Sequence, residues 1–218
     1  MVKKKSQTTN PSRGGRFEHA VNKLTIRYTS SLEQDKRLYQ EDIVGSMKYA
    51  LALKEAKVIT NKDYSKILKG LKIILKEIES GKFEWKEELE DVHMNIEAAL
   101  RRKAGNAAEK IHTGRSRNDQ VSTDLRLFLM KSIDEISVLI SKVQNSIIKK
   151  AQKHHKDIMP GFTHLQMAQP VTFGHHLMAW YEMLNRDYSR LQDTKRRTSS
   201  LPLGSAALAG NRYKIDRK

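Results

Sequence analysis

NDQVSTDLRLFLMKSIDEISVLISKVQNSIIKKAQKHHKD, residues 118–157, contains neither glycine nor proline. Along it Val121, Leu125, Phe128, Ser132, Ile136, Leu139, Ile140, Val143 and Ile147 keep a helical period. Read as one helix, the stretch is about 60 Å long. Helices well beyond about 25 residues belong to bundles rather than small globules. Pro160-Gly161 ends the run, Thr172 opens a second long helix reaching Arg197, and Pro202 and Gly204 break that one. Phe173, Leu177, Trp180, Leu184 and Leu191 form its seam. No segment alternates with the period of a strand and no repeat is visible, so the expected architecture is all-α.

Upstream, shorter helices are expected. Leu38, Ile43, Val44, Met47 and Leu51 recur at helical spacing between Gln34 and Val58. Thr60 with Asp63 caps the next helix, whose stripe is Tyr64, Ile67, Leu68, Leu71, Ile74, Leu75 and Ile78 before Gly81 stops it. A third covers Glu88 to Lys103 with Val92, Ile96 and Leu100 on one face, and residues 1–30 read as an irregular arm. The chain thus divides into an N-terminal arm with a small helical domain, 1–112, and the first part of a long-helix bundle, 113–218. Two amphipathic helices bury too little of themselves as a pair. Only eight residues follow the small-residue loop 201–210, so a missing C-terminal half or obligatory partner subunits are expected.

The 218 residues carry 41 basic and 25 acidic side chains, a net charge of +16. Nucleic acid or a membrane surface would suit such a charge. The bases are spread along helices, however, with short runs only at Lys3-Lys4-Lys5 and Lys195-Arg196-Arg197, and no aromatic platform is interleaved with them. Solvated faces and anionic small-molecule substrates therefore rank above nucleic acid. Cysteine is absent, which excludes disulfides and thiolate metal sites. No signal peptide is readable, and no apolar run approaches the roughly 20 residues of a membrane span. A soluble, cytoplasmic protein is expected.

Two polar clusters carry the chemistry. His112-Thr113-Gly114-Arg115-Ser116-Arg117-Asn118-Asp119-Gln120 sits just before the long helix. Its glycine admits close backbone approach, helix-start N–H groups point at negative charge, and arginines grip carboxylates as planar forks. The second cluster, Pro160-Gly161-Phe162-Thr163-His164-Leu165-Gln166, follows the same helix. His164 is its acid–base candidate, because imidazole titrates near neutrality. The blander readings are a solvated helix start for Arg115 and Arg117, and a backbone-bonded loop histidine for His164. His154-His155 and His175-His176 are adjacent pairs that face different ways on a helix, so structural roles are preferred to metal binding.

These residues resemble the argininosuccinate lyase family of the fumarase/aspartase superfamily. Gly114–Val121 with Thr123–Leu127 is similar to its first signature, and Met159–Gln166 with Ala168–His176 to its second. Gly14–Phe17, Asp35–Leu38 and Glu90–Glu97 resemble its N-terminal region, in the same order. The resemblance implies an all-α fold with a central bundle of long helices from four subunits. It further implies β-elimination of argininosuccinate to L-arginine and fumarate, with no metal or organic cofactor. By the same resemblance His164 is catalytic, Ser31, Asn118 and Thr163 contact substrate, and Arg117, Asp91 and His93 support the site. Arg115, Arg117, Thr113 and Gln166 join the substrate-binding set from the composition of the two clusters. The family's catalytic serine loop and further substrate contacts fall beyond Lys218, so activity is expected to need a complementing C-terminal half. Arg13, Ala206 and Asn211 stand where the family usually has tryptophan, glycine and threonine. Two competing classes are a non-catalytic helical oligomerisation fragment and, ranked lower, a basic nucleic-acid-binding bundle.

Overall fold

A computed structural model describes residues 22–217. The Gly14–Phe17 element and Arg13 lie outside the described residues. Asn22 caps α1 (Lys23–Thr29), a short helix where composition predicted irregular chain. α2 (Leu32–Asp35) and a 3₁₀ turn (Lys36–Leu38) lead into α3 (Tyr39–Glu55), so the helix expected from Gln34 is interrupted near its start. α4 (Asn61–Glu79) begins with the expected capping box: Thr60 and Asp63 each accept from the other's backbone N–H. A 3₁₀ turn (Glu87–Leu89) delays α5 (Val92–Ala104), which starts after Asp91 rather than at Glu88. Then follow α6 (Asn106–Glu109), α7 (Arg117–Lys153), β1 (Ile158–Thr163), β2 (Gln166–Thr172) and α8 (Phe173–Thr198). α7 is continuous and about 55 Å long.

The chain forms two compact units, one running to Leu125 and resuming at Leu201, the other Arg126–Ser200. The core of the first is built by α3, α4 and α5. Ile43, Leu53, Ile67, Leu71, Ile74, Val92, Ile96 and Leu100 are essentially sealed from water, each contributing about 1.5–3 kcal/mol by burial. Gly70 permits the close approach of α4 and α5, since a Cβ there would stand 2.7 Å from Leu100 Cδ1. Leu203 and Ile215 of the returning C-terminal segment pack on the same core.

In the second unit α7 and α8 lie antiparallel. Arg126 donates to the Thr198 carbonyl at 3.1 Å, Lys195 reaches Asp134 at 2.5 Å, and Gln192 donates to Ser137 at 2.9 Å. Among the described residues of this unit, only Ile133 and Ala151 are buried hydrophobics. The seams expected from periodicity face outward: Ile136, Leu139, Val143 and Trp180 are 45%, 58%, 49% and 56% exposed. A helix pair with those stripes uncovered has most of its apolar surface still in water.

The all-α class holds, with one small hairpin that the periodicity did not show. β1 and β2 pair antiparallel from Ile158↔Thr172 to Thr163↔Gln166, with a bulge between Pro160 and Phe162. Pro160 sits opposite Pro170, so two residues that read as breakers lie inside the ladder. The turn has positive φ at both central residues, His164 (51°) and Leu165 (62°). That is the two-residue primed turn usually made by Asn-Gly, and nothing in His-Leu announces it.

Where α8 begins it presses on the end of α7. A Cβ on Gly174 would come 2.9 Å from both the Ala151 carbonyl and the His155 Cα. Both are backbone atoms and cannot swing aside. Gly174→Ala should therefore destabilise the chain by about 1–2 kcal/mol net, overpacking outweighing a helix-propensity gain of ~1 kcal/mol; a lowered urea midpoint would report it.

Candidate active site

The first polar cluster is assembled at the start of α7 by partners from α3, α5 and the C-terminal segment. Asp119 organises the turn. One carboxylate oxygen accepts from Ser116 N at 3.0 Å, and the other from Gly204 N at 3.3 Å and Ala206 N at 2.7 Å. Asn211 donates to the Gly114 carbonyl at 3.1 Å, and Gly114 itself has φ +68°. Two departures from the resembled family thus fall at working positions. Ala206, where glycine is usual, is held at φ +55°, and Asn211 ties down the glycine of the cluster.

Both arginines of the cluster point inward to partners. Arg115 is buried, donating to Ser46 at 3.0 Å and lying over the Tyr49 ring at 5.5 Å. Arg117 donates to Gln120 Oε1 at 2.7 Å and Glu97 Oε2 at 2.8 Å, and its Nε stands 3.9 Å from Asp91. Glu97 is the shared anion, since Arg115 and His112 also approach its other oxygen at 3.5 and 3.4 Å. Burial lowers the His112 pKa, which Glu97 partly opposes. Asn118 is exposed, and the Thr113 carbonyl accepts from Tyr49 at 2.8 Å. A groove of about 470 Å³ opens beside Glu97 and His112, bounded by Leu89, Met94, Arg101 and Ala108.

Ser31 reaches the start of α5 through its backbone N–H, which donates to the Glu90 carbonyl at 2.9 Å. Ser31 donates to Asp35 at 2.5 Å, and Asp35 accepts from Val92 N at 3.0 Å. Asp91 caps the helix through Met94 N at 2.6 Å. Just before it Glu90 has φ 67° and ψ −56°, and Asp91 N donates to the Leu89 carbonyl at 2.7 Å. This is a three-residue γ-turn of the rare, strained kind. Strain of this sort persists where the surroundings over-determine it, and it gathers at functional sites. Burial raises the Asp91 pKa, with the Met94 N–H and Arg117 opposing.

Beneath these groups lies a buried junction of α3, α5 and α7. His93 Nδ1 is 3.1 Å from Asp42 and 3.3 Å from Asp124, and all three side chains are sealed from solvent. Gln120 Nε2 donates to the same Asp42 oxygen at 2.5 Å. Burial and the adjacent Asp42 charge hold Asp124 protonated; Asp42 stays ionised because His93, Arg115 and Gln120 outweigh its own desolvation. Among the described residues these three form a nitrogen–oxygen donor set, with ligand-type atoms within 4.8 Å of one another.

Thr163, His164 and Gln166 occupy the hairpin tip of the second unit. All three are exposed, and Leu165 beside them is fully so. Ser31, Asp91, His93, Thr113, Arg115, Arg117 and Asn118 all belong to the first unit. His93 and Glu97 are four residues apart on α5, yet His93 turns to the core carboxylates and Glu97 to Arg115 and Arg117. Sequence reading gave Asp42 and Asp124 no role, and placed Asp119 and Gln120 in the polar cluster without foreseeing their inward contacts. The run Asp119, Gln120, Thr123, Asp124, all buried, repeats every three to four residues and was the available signal of an inward polar face.

With this geometry in place, the comparisons are direct. The lyase family model matches residues 15–218. The chain belongs to the lyase family. It is 54% identical over 210 residues to an argininosuccinate lyase of Pseudomonas entomophila (strain L48), covering 96% of this chain and 45% of that protein. An argininosuccinate lyase of Azotobacter vinelandii is 53% identical over 213 residues, with 98% and 46% covered. The chain therefore spans a little under half the length of the curated relatives it matches. Among solved structures, an EDDS lyase variant with bound fumarate superposes with a TM-score of 0.74 at 29% identity, covering 83% of this chain and 35% of that one. A Brucella melitensis fumarate lyase:delta crystallin superposes at 0.71 and 18% identity, with 89% and 47% covered, which speaks for the fold alone.

Two substitutions probe the site's construction. Asp124 is neutral in the fold but ionises readily once unfolded, so unfolding releases its proton and stability falls as pH rises past ~4. Asp124→Asn should flatten that decline between pH ~5 and ~9, measured as the urea midpoint at each pH. Ala206→Gly removes the left-handed penalty on a Cβ residue and should stabilise by about 1 kcal/mol in the same assay.

Proposed function

We propose that the chain carries the N-terminal part of an argininosuccinate lyase, acting in arginine biosynthesis and, by the same reaction, of the urea-cycle type. The observation that carries this reading is the built anion loop at 113–120, lying within an alignment at 54% identity that spans nearly the whole chain. The reaction removes a proton from the carbon beside a carboxylate, so negative charge builds on that carboxylate. The bond to the guanidino nitrogen then breaks, leaving fumarate and, once that nitrogen is protonated, L-arginine. Fixed cations and N–H dipoles stabilise such a developing charge without reorganising.

In this reading the loop provides the anion-facing dipoles. Thr113, Asn118 and Ser31 contact the succinyl carboxylates. Arg115 and Arg117 supply the positive field, while Asp91 and His93 hold the frame. His164 carries one of the two proton transfers from the hairpin tip, flanked by Thr163 and Gln166, and the strained His-Leu turn fits a side chain placed for function. The elimination calls for no metal or organic cofactor. The partner of the other proton transfer comes from a complementing C-terminal half.

The uncovered stripes of α7 and α8 support assembly with further long helices, read here as a homotetramer whose central bundle buries them. Residues 1–112 and 113–218 then serve as the small domain and the first part of the bundle domain. No helix of the described residues is long and apolar enough to cross a membrane, which accords with the cytoplasmic setting proposed. The same exposed stripes also favour a second reading, a helical assembly subunit without turnover.

Adding argininosuccinate to the purified chain, with and without the C-terminal half of a related lyase, tests both. Fumarate absorbance should appear only with the complement, and His164→Asn should reduce it by roughly 10²–10⁴-fold. A folded, assembled complex that releases no fumarate would leave the non-catalytic reading.

A further inference from the structure

Gln120 lies between two side chains with opposite hydrogen-bonding needs. The Asp42 carboxylate, ionised, only accepts; the Arg117 guanidinium only donates. A glutamine amide has one donating and one accepting end, so a single orientation satisfies both neighbours. In the structure Nε2 faces Asp42 at 2.5 Å and Oε1 faces Arg117 at 2.7 Å. Gln120 is 2% exposed, so water cannot substitute for either partner. An amide turned the other way would set N–H against guanidinium and carbonyl against carboxylate, leaving both ends of the buried amide unpaired.

We propose that Gln120 is a positioning residue that transmits the charge of the Asp42–His93–Asp124 junction to the anion loop by fixing the fork of Arg117. The inference rests on reading residues 113–120 as part of a lyase site. Asp42 sets the polarity, Gln120 passes it on, and Arg117 is held between Gln120, Glu97 and Asp91. The charged groups facing this line are known for each packed element. Glu41 and Asp42 come from α3, Asp91, His93 and Glu97 from the start and first turns of α5, Arg115 from the loop, and Arg117, Asp119 and Asp124 from α7. Asp42 is the one whose carboxylate the amide touches.

Reversing the polarity of the line tests it. Gln120→Glu opposes two buried carboxylates, so the melting midpoint of the full chain should fall by roughly 10 °C near neutral pH. It should recover in acid, where one of the pair takes up a proton. Asp42→Asn in the same chain restores the match. The amide nitrogen at position 42 takes the place of the oxygen that both neighbours share, donating one hydrogen to the carboxylate introduced at position 120 and the other to Nδ1 of His93 in its Nε2–H tautomer. The introduced carboxylate in turn accepts from Arg117. The double variant should then melt within ~3 °C of the parent. Residue 120 acting only as filler predicts the opposite, two losses that add. If Gln120→Glu fails to fold at neutral pH, the double variant still decides, because a double variant no better than the single overturns the proposal.

A second readout is specific to positioning. In the complemented assembly, KM for argininosuccinate should rise about tenfold in Gln120→Glu and return to within ~2-fold in the double variant, a change of about tenfold being one guanidinium contact in strength. Unchanged KM in a folded Gln120→Glu assembly overturns the positioning role. An inactive parent assembly would count against the lyase reading alone, and the melting cycle would still report on the Asp42–Gln120–Arg117 line.

Discussion

The first unit depends on a constraint that apolar packing cannot satisfy: two carboxylates and an imidazole share one dry space where three helices cross. Asp42 on α3, His93 on α5 and Asp124 on α7 are each within a few per cent of complete burial. Two ionised carboxylates at such range would cost several kcal/mol after desolvation. Keeping Asp124 protonated resolves the conflict and leaves a single negative charge for His93, Gln120 and Arg115 to balance. Gly45 is part of the same solution, since a Cβ there would press on Asp124 Oδ1 at 3.2 Å. A network of this kind adds little stability compared with well-packed leucines, but only one arrangement of the helices satisfies it.

That uniqueness governs the loop above it. The polar chain runs from Asp124 through His93, Asp42 and Gln120 to Arg117, and on to Glu97, which also faces Arg115 and His112. Every link is a contact of 3.5 Å or less. The loop arginines, which look in the sequence like free anion grips, are thus held before any ligand arrives. In the proposed elimination, preorganised charge is worth more than mobile charge to negative charge building on a carboxylate, because nothing has to move. The second unit is organised differently. It has almost no core, a strained turn at its tip and two apolar stripes facing out.

How much of this was legible follows from the kind of signal each part leaves. Helix existence was plain wherever apolar residues recur at helical spacing, and the Thr60 cap appeared where its hydroxyl and carboxylate predicted. The Gln34–Val58 helix was overextended because periodicity does not register a 3₁₀ turn at Lys36–Leu38. The hairpin was hidden for a physical reason: with strands exposed on both faces there is no alternation to see, and two prolines opposite one another look like loop. Family motifs located the two polar clusters, but Asp42 was not read, and Asp119 and Asp124 were read only as members of motifs. A search for apolar stripes assigns Asp124 to the outside, and in α7 the assignment is inverted. Asp119, Gln120, Thr123 and Asp124 face in, while Leu125 is 47% exposed.

The inversion in α7 gives one helix two different requirements. It carries a buried polar face over its first turns and an exposed apolar face along most of the rest. Neither is stable as an isolated feature: buried carboxylates need partners from other helices, and bare leucines and valines need cover. The first requirement is met within the chain by α3, α5 and the returning segment at 201–217. The second is unmet within the second unit, where Ile136, Leu139, Val143 and Trp180 remain in water. The helix start is therefore finished by intramolecular contacts, and the helix body has apolar surface left to bury. The anion loop thus draws on contacts made inside the first unit, whereas the stripe around Val143 has no such contacts within the second.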